Sequence, residues 1–404
     1  MLVRAPFAVF ALSLAVSCAA PYAPRGYDDD RAFLREHTTV HELRSGTGAV
    51  LVCPELQGRV MTSATRLDGP GLGFVNRPVV AHPDPDAAFA NYGGVERFWL
   101  GPEGGPWALF FDADAPQDRE HWRTPEDLHH GGFAVTARDD RRVVMERELA
   151  VTNALGTRFD ARVRRTVEAP PRAEVAAALG DERALLLPWT AWRSTTTVTN
   201  VGNEPWTEDG GLVCAWMLGM FRAGERTWAV LPFRPYPAEG YEDAPPVLAD
   251  YFGEVPPDRF RIGPDFAVLK ADAGAVGKAG VLRSRARDRV GSYDPDTGVL
   301  TVVVFAPLER AAPYLVEHWG WDVAPIPEGD VVNAYVHGGP EPFYELETSS
   351  PALRLGPGES HAHVQLVVQV EVRGDDLDRL LRTALGVDPA EYRRLTTAPR
   401  PGAE

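Results

Sequence analysis

Lysine is nearly missing from this chain: Lys270 and Lys278 are its two copies among 41 basic residues, leaving 39 arginines. Arginine dominance of this kind follows genome base composition, so each lysine becomes a position to inspect. Positive charge is also short overall, with 41 basic against 57 acidic residues and a formal charge of −16. A chain so poor in clustered cations is excluded as a nucleic-acid or other polyanion partner, because phosphate binding works through charge neutralisation. Cysteine is scarce, with three in 404 residues, too few for a disulfide framework and without a metal-ligand spacing. No phosphate loop is present: Gly69-Pro70-Gly71-Leu72-Gly73 lacks the Lys-Ser/Thr and opens no helix, so it reads as a turn. No Gly-x-Ser-x-Gly elbow occurs. These absences point to a protein without cofactor or metal. Nothing in the sequence reports on oligomeric state.

The chain can bury a substantial core, at 44% hydrophobic and 24% charged residues over 404 positions. Its first segment is read as an export signal rather than fold. Arg4 gives a positive start, and Pro6–Val16 is an apolar run too short for an ordinary membrane-spanning helix. Leu14-Ala15-Val16-Ser17-Cys18 resembles a bacterial lipobox, which implies lipidation of Cys18; plain secretory cleavage stays open. Ala19 after the cysteine fits outer-membrane delivery. The expected location is extracytoplasmic, as an envelope lipoprotein on the periplasmic side or outer membrane, touching membrane only through the N-terminal lipid. The expected organisation is a signal at 1–18, a solvated tether at 19–36, a β domain at 37–373 and a helical appendage and tail at 374–404.

Most of the chain reads as strand. Phe159, Ala161, Val163 and Val167 alternate with Asp160, Arg162, Arg164 and Thr166, and Ala362 through Val372 does the same. Further strands are expected over Arg59–Thr65, Trp107–Phe111, Arg142–Val151, Trp192–Asn200, Thr227–Leu231, Phe266–Lys270 and Val299–Phe305. Helical patterns are confined to 172–186 and to the segment from Asp375, which Gly386 and Pro389 interrupt, with a short turn over Glu391–Leu395. Many strands with few helices between them argue for an all-β, large antiparallel sandwich. Cys53 and Cys214 sit in apolar strand-like runs and read as buried thiols, with pairing left open.

Two segments concentrate chemistry. Asn91–Gly105 interleaves glycines, aromatics, Glu96 and Arg97, a mixture suited to a sugar, which has an apolar C–H face and a rim of hydroxyls. A buried turn with one structural Glu–Arg pair is the equal alternative. In Asp330–Ala352, strand alternation puts Glu345 and Glu347 on one face, and neighbouring carboxylates can raise one pKa into a useful range; without a partner, two solvated glutamates are the default. His361 and His363 share a strand face, where a metal would need a third ligand; a solvated face is expected instead.

Several of these segments resemble the galactose mutarotase-like (aldose 1-epimerase-like) superfamily, and more closely a bacterial lipoprotein branch of it. The resemblance is carried by Val52–Val60, by Gly-Gly-Val-Glu-Arg-Phe-Trp-Leu-Gly-Pro-Glu-Gly-Gly (93–105), by residues 211–221, by Gly291-Ser292-Tyr293-Asp294, and by Phe343–Ala352 with Leu355–Ser360. It runs in order from Leu51 to Val372. It implies a β-supersandwich with a carbohydrate site on its concave face, and a sugar or oligosaccharide as partner. It also implies that Glu347, in Leu346-Glu347-Thr348, is the base that takes the anomeric proton. The histidine that such enzymes use as acid falls here on Trp216, whose indole transfers no proton at neutral pH. Leu128-His129-His130-Gly131-Gly132 nominates His130 as a substrate contact. The resemblance also puts Arg97 at the place of the substrate-binding arginine. The residues themselves add Glu96, Glu345, Lys278, as a cationic contact or a solvent-facing lysine, and Trp319, which with His318 stacks on a sugar or belongs to the core. Action on, or binding of, the anomeric end of a sugar is therefore expected, with a non-catalytic carbohydrate-binding envelope lipoprotein as the alternative. A polysaccharide lyase would want a Tyr/His pair and charge neutralisation, against which the −16 charge stands.

Overall fold

The computed structural model describes residues 24–397 except 238 and 243; the signal segment 1–18 with Cys18 lies outside the described residues. Strands dominate. In chain order they are β1 (His41–Ser45), β2 (Gly48–Cys53), β3 (Arg59–Ala64), β4 (Arg97–Gly101), β5 (Ala134–Arg138), β6 (Arg142–Thr152), β7 (Arg158–Glu168), β8 (Trp189–Asn200) and β9 (Cys214–Arg222). There follow β10 (Trp228–Pro232), β11 (Phe260–Ile262), β12 (Phe266–Lys270), β13 (Gly277–Leu282), β14 (Arg289–Asp294), β15 (Val299–Ala306), β16 (Asp330–Val336), β17 (Phe343–Ser349) and β18 (Ser360–Glu371).

The strands form three antiparallel sheets. The largest has ten strands in the order β11-β12-β10-β14-β15-β18-β8-β7-β6-β5; five strands, β13-β16-β17-β9-β4, make the second, and β1-β2-β3 the third. Period-two burial sorts the faces. On β7, Phe159, Ala161, Val163 and Val167 are fully buried while Arg162 and Arg164 are exposed. The main core lies between the ten- and five-stranded sheets, where Val163, Trp192 and Val367 meet Met217, Phe221 and Leu346. The far face of the ten-stranded sheet is covered by helices Arg172–Leu179 and Gly374–Leu380 and by the turns after them, which seal Val230, Leu300, Val302 and Val368. Gly180 and Gly386 end two of these helical segments at φ +64° and +68°, the left-handed conformation that glycine adopts without strain. The fold is thus all-β with a short C-terminal helical appendage. Among the described residues, no helix is long and apolar enough to cross a membrane.

Three local expectations are corrected. The tether expected over 19–36 does not extend through that range, because Tyr27–His37 is a helix. Its Tyr27, Asp30 and Leu34, spaced three and four apart, are fully buried against the β1-β2-β3 sheet. Asp28, Asp29 and Asp30 made the segment look solvated, yet they occupy the first helical turn, where the helix dipole favours negative charge, and Asp30 pairs with Arg77 at 2.8 Å. Trp107–Phe111 is not a strand. It is a buried loop, turned by Ala108 N–H to Gly105 O (3.1 Å) and Leu109 N–H to Pro102 O (3.1 Å), so its apolar run reports burial without reporting conformation. His363 is not on a solvated face: it is buried, with Nε2 2.9 Å from Thr348 Oγ1 and its ring stacked on Phe305.

Glu96 directly precedes β4, and alternation turns it inward, away from any ligand-accessible surface. Its carboxylate accepts from Arg165 of β7, from Trp192 Nε1 of β8 at 2.9 Å and from Gln365 Nε2 of β18 at 3.1 Å. Its assignment as a substrate contact is therefore corrected: it fastens the five-stranded sheet to the ten-stranded one. Arg165 and Glu96 are both wholly buried, and removing one partner leaves an uncompensated charge. Glu96→Ala is expected to lower stability by roughly 3–5 kcal/mol, read from chemical denaturation. An unchanged midpoint would show that the two sheets hold together without this fastening.

Candidate functional site

The outer face of the five-stranded sheet builds the site, and register decides who meets whom. Glu347 of β17 lies between Leu218 of β9 and Asn333 of β16, and Leu218 in turn pairs with Arg97 of β4. One step along, Glu345 lies between Met220 and Tyr335, and Tyr335 pairs with Lys278 of β13. Arg97, Trp99, Trp216, Glu345, Glu347 and Lys278 therefore point to the same side. They floor a cavity of about 400 Å³. Loops raise its walls: Phe89 and Asn91 before β4, Glu103 after it, Arg119 and Trp122 beyond, then Phe252, Trp319, His337 and Glu341.

The floor is electrostatically tight. Lys278 Nζ is 3.2 Å from Glu347 Oε2, and Trp216 Nε1 donates to the same oxygen at 3.0 Å. No described residue donates a hydrogen bond to the other oxygen, Oε1. Burial pushes the Glu347 carboxyl above the usual carboxylate range, Lys278 draws it back down, and Glu345 adds to the rise. Burial alone would lower the Lys278 pKa, but the carboxyls of Glu347, Glu103, Glu317 and Asp330 outweigh it and hold the ammonium charged. Its charge also lies 4.9 Å from the Trp216 ring centre and 5.4 Å from that of Tyr251. Tyr251 can lie there because the neighbouring β13 position is Gly280, where a Cβ would overlap the tyrosine hydroxyl. That hydroxyl donates to Asp330 Oδ1.

Arg97 and Glu345 pair at 2.8 Å, and the guanidinium lies over the Trp99 ring at 4.2 Å. At the opposite end, Glu341 accepts from Asn76 (2.8 Å) and Asn91 (3.0 Å), with His337 Nε2 3.6 Å away. Beneath the cavity, the buried Glu317 carboxylate accepts the Glu103 backbone N–H at 2.7 Å, and burial pushes its pKa up to about 8.

The structure brings Glu347, Glu345, Arg97, Trp216, Lys278 and Trp319 into one cavity. It leaves two nominated residues out. Glu96 is interior, as described above. His130 stands outside the cavity, stacked on His129 at 3.9 Å with Nε2 3.2 Å from Pro85 O, so its nomination is corrected; a four-residue match carried no information about where the loop lies. Glu103, Trp122, Phe252, Arg119 and His337 escaped the sequence reading as site residues. Glu103 and His337 lie inside segments that were singled out, Asn91–Gly105 and Asp330–Ala352, without being named, whereas Trp122 and Phe252 sit in irregular loops with no periodic signal. Cys53 and Cys214 are both free and buried. Among the described residues, no group of His, Cys, Asp and Glu is placed to hold a metal.

Glu317 sets a stability window. Its folded pKa of about 8 exceeds the ordinary 4.5, so the folded state binds the proton more tightly. This contribution to stability is full below about pH 4.5 and lost as pH rises to about 8. Glu317→Gln is expected to flatten the fall in stability across that range, measured by urea unfolding at stepped pH; an unchanged slope would assign the fall to other groups.

The profile of a family of unknown function, DUF6786, matches residues 25–395. A comparison with curated proteins gives no match. Among solved structures, the Slr1438 protein of Synechocystis sp. PCC 6803 is similar at TM-score 0.50 and 12% identity, over 83% of this chain and 96% of that one. A putative aldose 1-epimerase of Escherichia coli K12 aligns at TM-score 0.48 and 13% identity, over 83% and 99%. A galactose mutarotase-like protein of Lactobacillus casei ATCC 334 aligns at TM-score 0.47 and 12% identity, over 83% and 100%. At such identities a likeness concerns fold.

Proposed function

This chain belongs to the DUF6786 family, and we propose that its cavity takes a sugar by the anomeric end, with Glu347 as the base. One observation carries the reading: a carboxylate braced on one oxygen by an ammonium and an indole N–H stands at the floor of a cavity walled by aromatic rings. The flat faces of Trp99, Trp216 and Trp319 suit the C–H face of a pyranose, and Arg97, Glu345 and Asn91 suit its hydroxyls. With Oε2 occupied by Lys278 and Trp216, Oε1 is the atom that would accept the anomeric proton. Burial and Glu345 raise the proton affinity of this carboxyl, as a base requires, while Lys278 opposes its protonation. The resemblance of Leu346-Glu347-Thr348 to the mutarotase glutamate segment supports the same residue.

A second reading is favoured by Trp216, which stands where such enzymes carry a histidine: a sugar-binding protein without turnover. In either case the lipobox-like segment ending at Cys18 supports an envelope location, with the anchor as the only membrane contact.

Polarimetry on a panel of aldoses tests the proposal. The wild type is expected to accelerate mutarotation of at least one sugar, and Glu347→Gln to lose about 10²–10⁴-fold of that rate. Calorimetric binding without acceleration would select the binding reading. No binding and no acceleration with any sugar would overturn both, and a rate that survives Glu347→Gln would remove the base assignment alone.

A further inference from the structure

Opening a pyranose needs a proton delivered to the ring oxygen as well as one taken from the anomeric hydroxyl, and Trp216 cannot deliver it. The described residues of the cavity offer few replacements. Lys278 is held charged by the carboxyls around it. His337 lies at the far end of the sheet row, two residues beyond Tyr335, its ring stacked on Phe343 at 4.7 Å. Glu103 is different: it lines the same cavity, from the loop immediately after β4, and is buried.

That loop is fixed. The Glu103 backbone N–H is tied to Glu317 Oε2 at 2.7 Å, and Gly104 lies so close to the next segment that a Cβ there would come within 2.8 Å of Trp319 Cα. The side chain is fixed too, since Trp122 Nε1 donates to Glu103 Oε1 at 2.9 Å and the Trp319 indole lies beside the same carboxyl. A carboxyl so held is preorganised. The charged groups facing it are Lys278 from β13, Glu347 from β17 and Glu317 from the loop before β16. Of the four carboxyls that line the cavity, Glu103, Glu341, Glu345 and Glu347, it is Glu347 that touches the ammonium. Burial, the largest influence, and the neighbouring Glu347 raise the Glu103 pKa, against Lys278 and the two indoles, which lower it.

We propose that Glu103 is the proton donor to the ring oxygen, working opposite Glu347. This rests on the sugar reading above. In the forward step the anomeric O–H proton passes to Glu347 Oε1, the bond between the anomeric carbon and the ring oxygen breaks, and the ring oxygen takes the Glu103 proton. The products are the open-chain aldehyde, a protonated Glu347 and an ionised Glu103. Closure on the other face returns both protons, so the pair ends as it began.

The test uses the full chain and an aldose that the wild type binds. Glu103→Gln keeps an acceptor for Trp122 but carries no transferable proton. It is expected to retain calorimetric binding of that sugar, to lose about 10²–10⁴-fold in kcat with KM little changed, and to lose the fall in kcat at alkaline pH. Glu103→Asp is expected to keep that alkaline fall with a reduced kcat. Wild-type kcat in Glu103→Gln, or an alkaline limb that persists in it, overturns the donor assignment while leaving the sugar reading intact. Sugar binding by the wild type without turnover also overturns it, whereas a wild type that binds no sugar fails at the earlier reading.

Discussion

One buried ammonium makes the site possible. Glu347, Glu103, Glu317 and Asp330 converge behind and around the cavity floor, where burial raises the pKa of the first three and any charge that remains needs compensation. Lys278 is that compensation: it contacts Glu347 at 3.2 Å and acts on the other three through space. A compact charge on a flexible stem suits this position, where the planar fork of arginine would impose its own geometry. In a chain that otherwise uses arginine for nearly every cation, one of the two lysines falls where a point charge is wanted. Gly280 supports the arrangement by leaving room for Tyr251, which closes over the same floor and satisfies Asp330.

The second constraint is the division of labour across β4. Consecutive residues of a strand face opposite ways, so Glu96 enters the interior and Arg97 enters the cavity. The inward carboxylate bonds to three strands of the opposing sheet. The outward guanidinium pairs with Glu345 and lies over Trp99. The same short stretch therefore joins the two sheets on one side and lines the cavity on the other, and the loop that leaves β4 brings Glu103 to the cavity wall.

Legibility followed periodicity. The alternation in 159–167 and 362–372 identified strands that the structure contains, and the shared face of Glu345 and Glu347 was readable from spacing alone. Lys278 stood out by rarity, although only the fold shows that it reaches Glu347. Where no period operated, reading failed. Trp122 and Phe252 come to the cavity through loops whose paths depend on packing between distant segments, and Glu103, although inside the Asn91–Gly105 run, lies past the end of β4 where alternation assigns no face. Asp28–Asp30 looked like solvated linker because composition does not distinguish a helix N-terminus from a tether. Trp107–Phe111 looked like strand because an apolar run reports burial and not conformation. His130 was drawn in by local resemblance, and local resemblance carries no depth coordinate.

The two-faced strands have a further consequence for how this sequence can change over time. On β17 all seven residues are buried, with Phe343, Glu345 and Glu347 at the cavity while Tyr344 and Leu346 face the core. A one-residue slip would exchange the two sets, sending carboxylates into the hydrocarbon interior and Tyr344 and Leu346 to the cavity. Length constrains such a strand more than identity does: its loops can absorb added residues, whereas a single insertion between Phe343 and Ser349 would do more harm than most substitutions there.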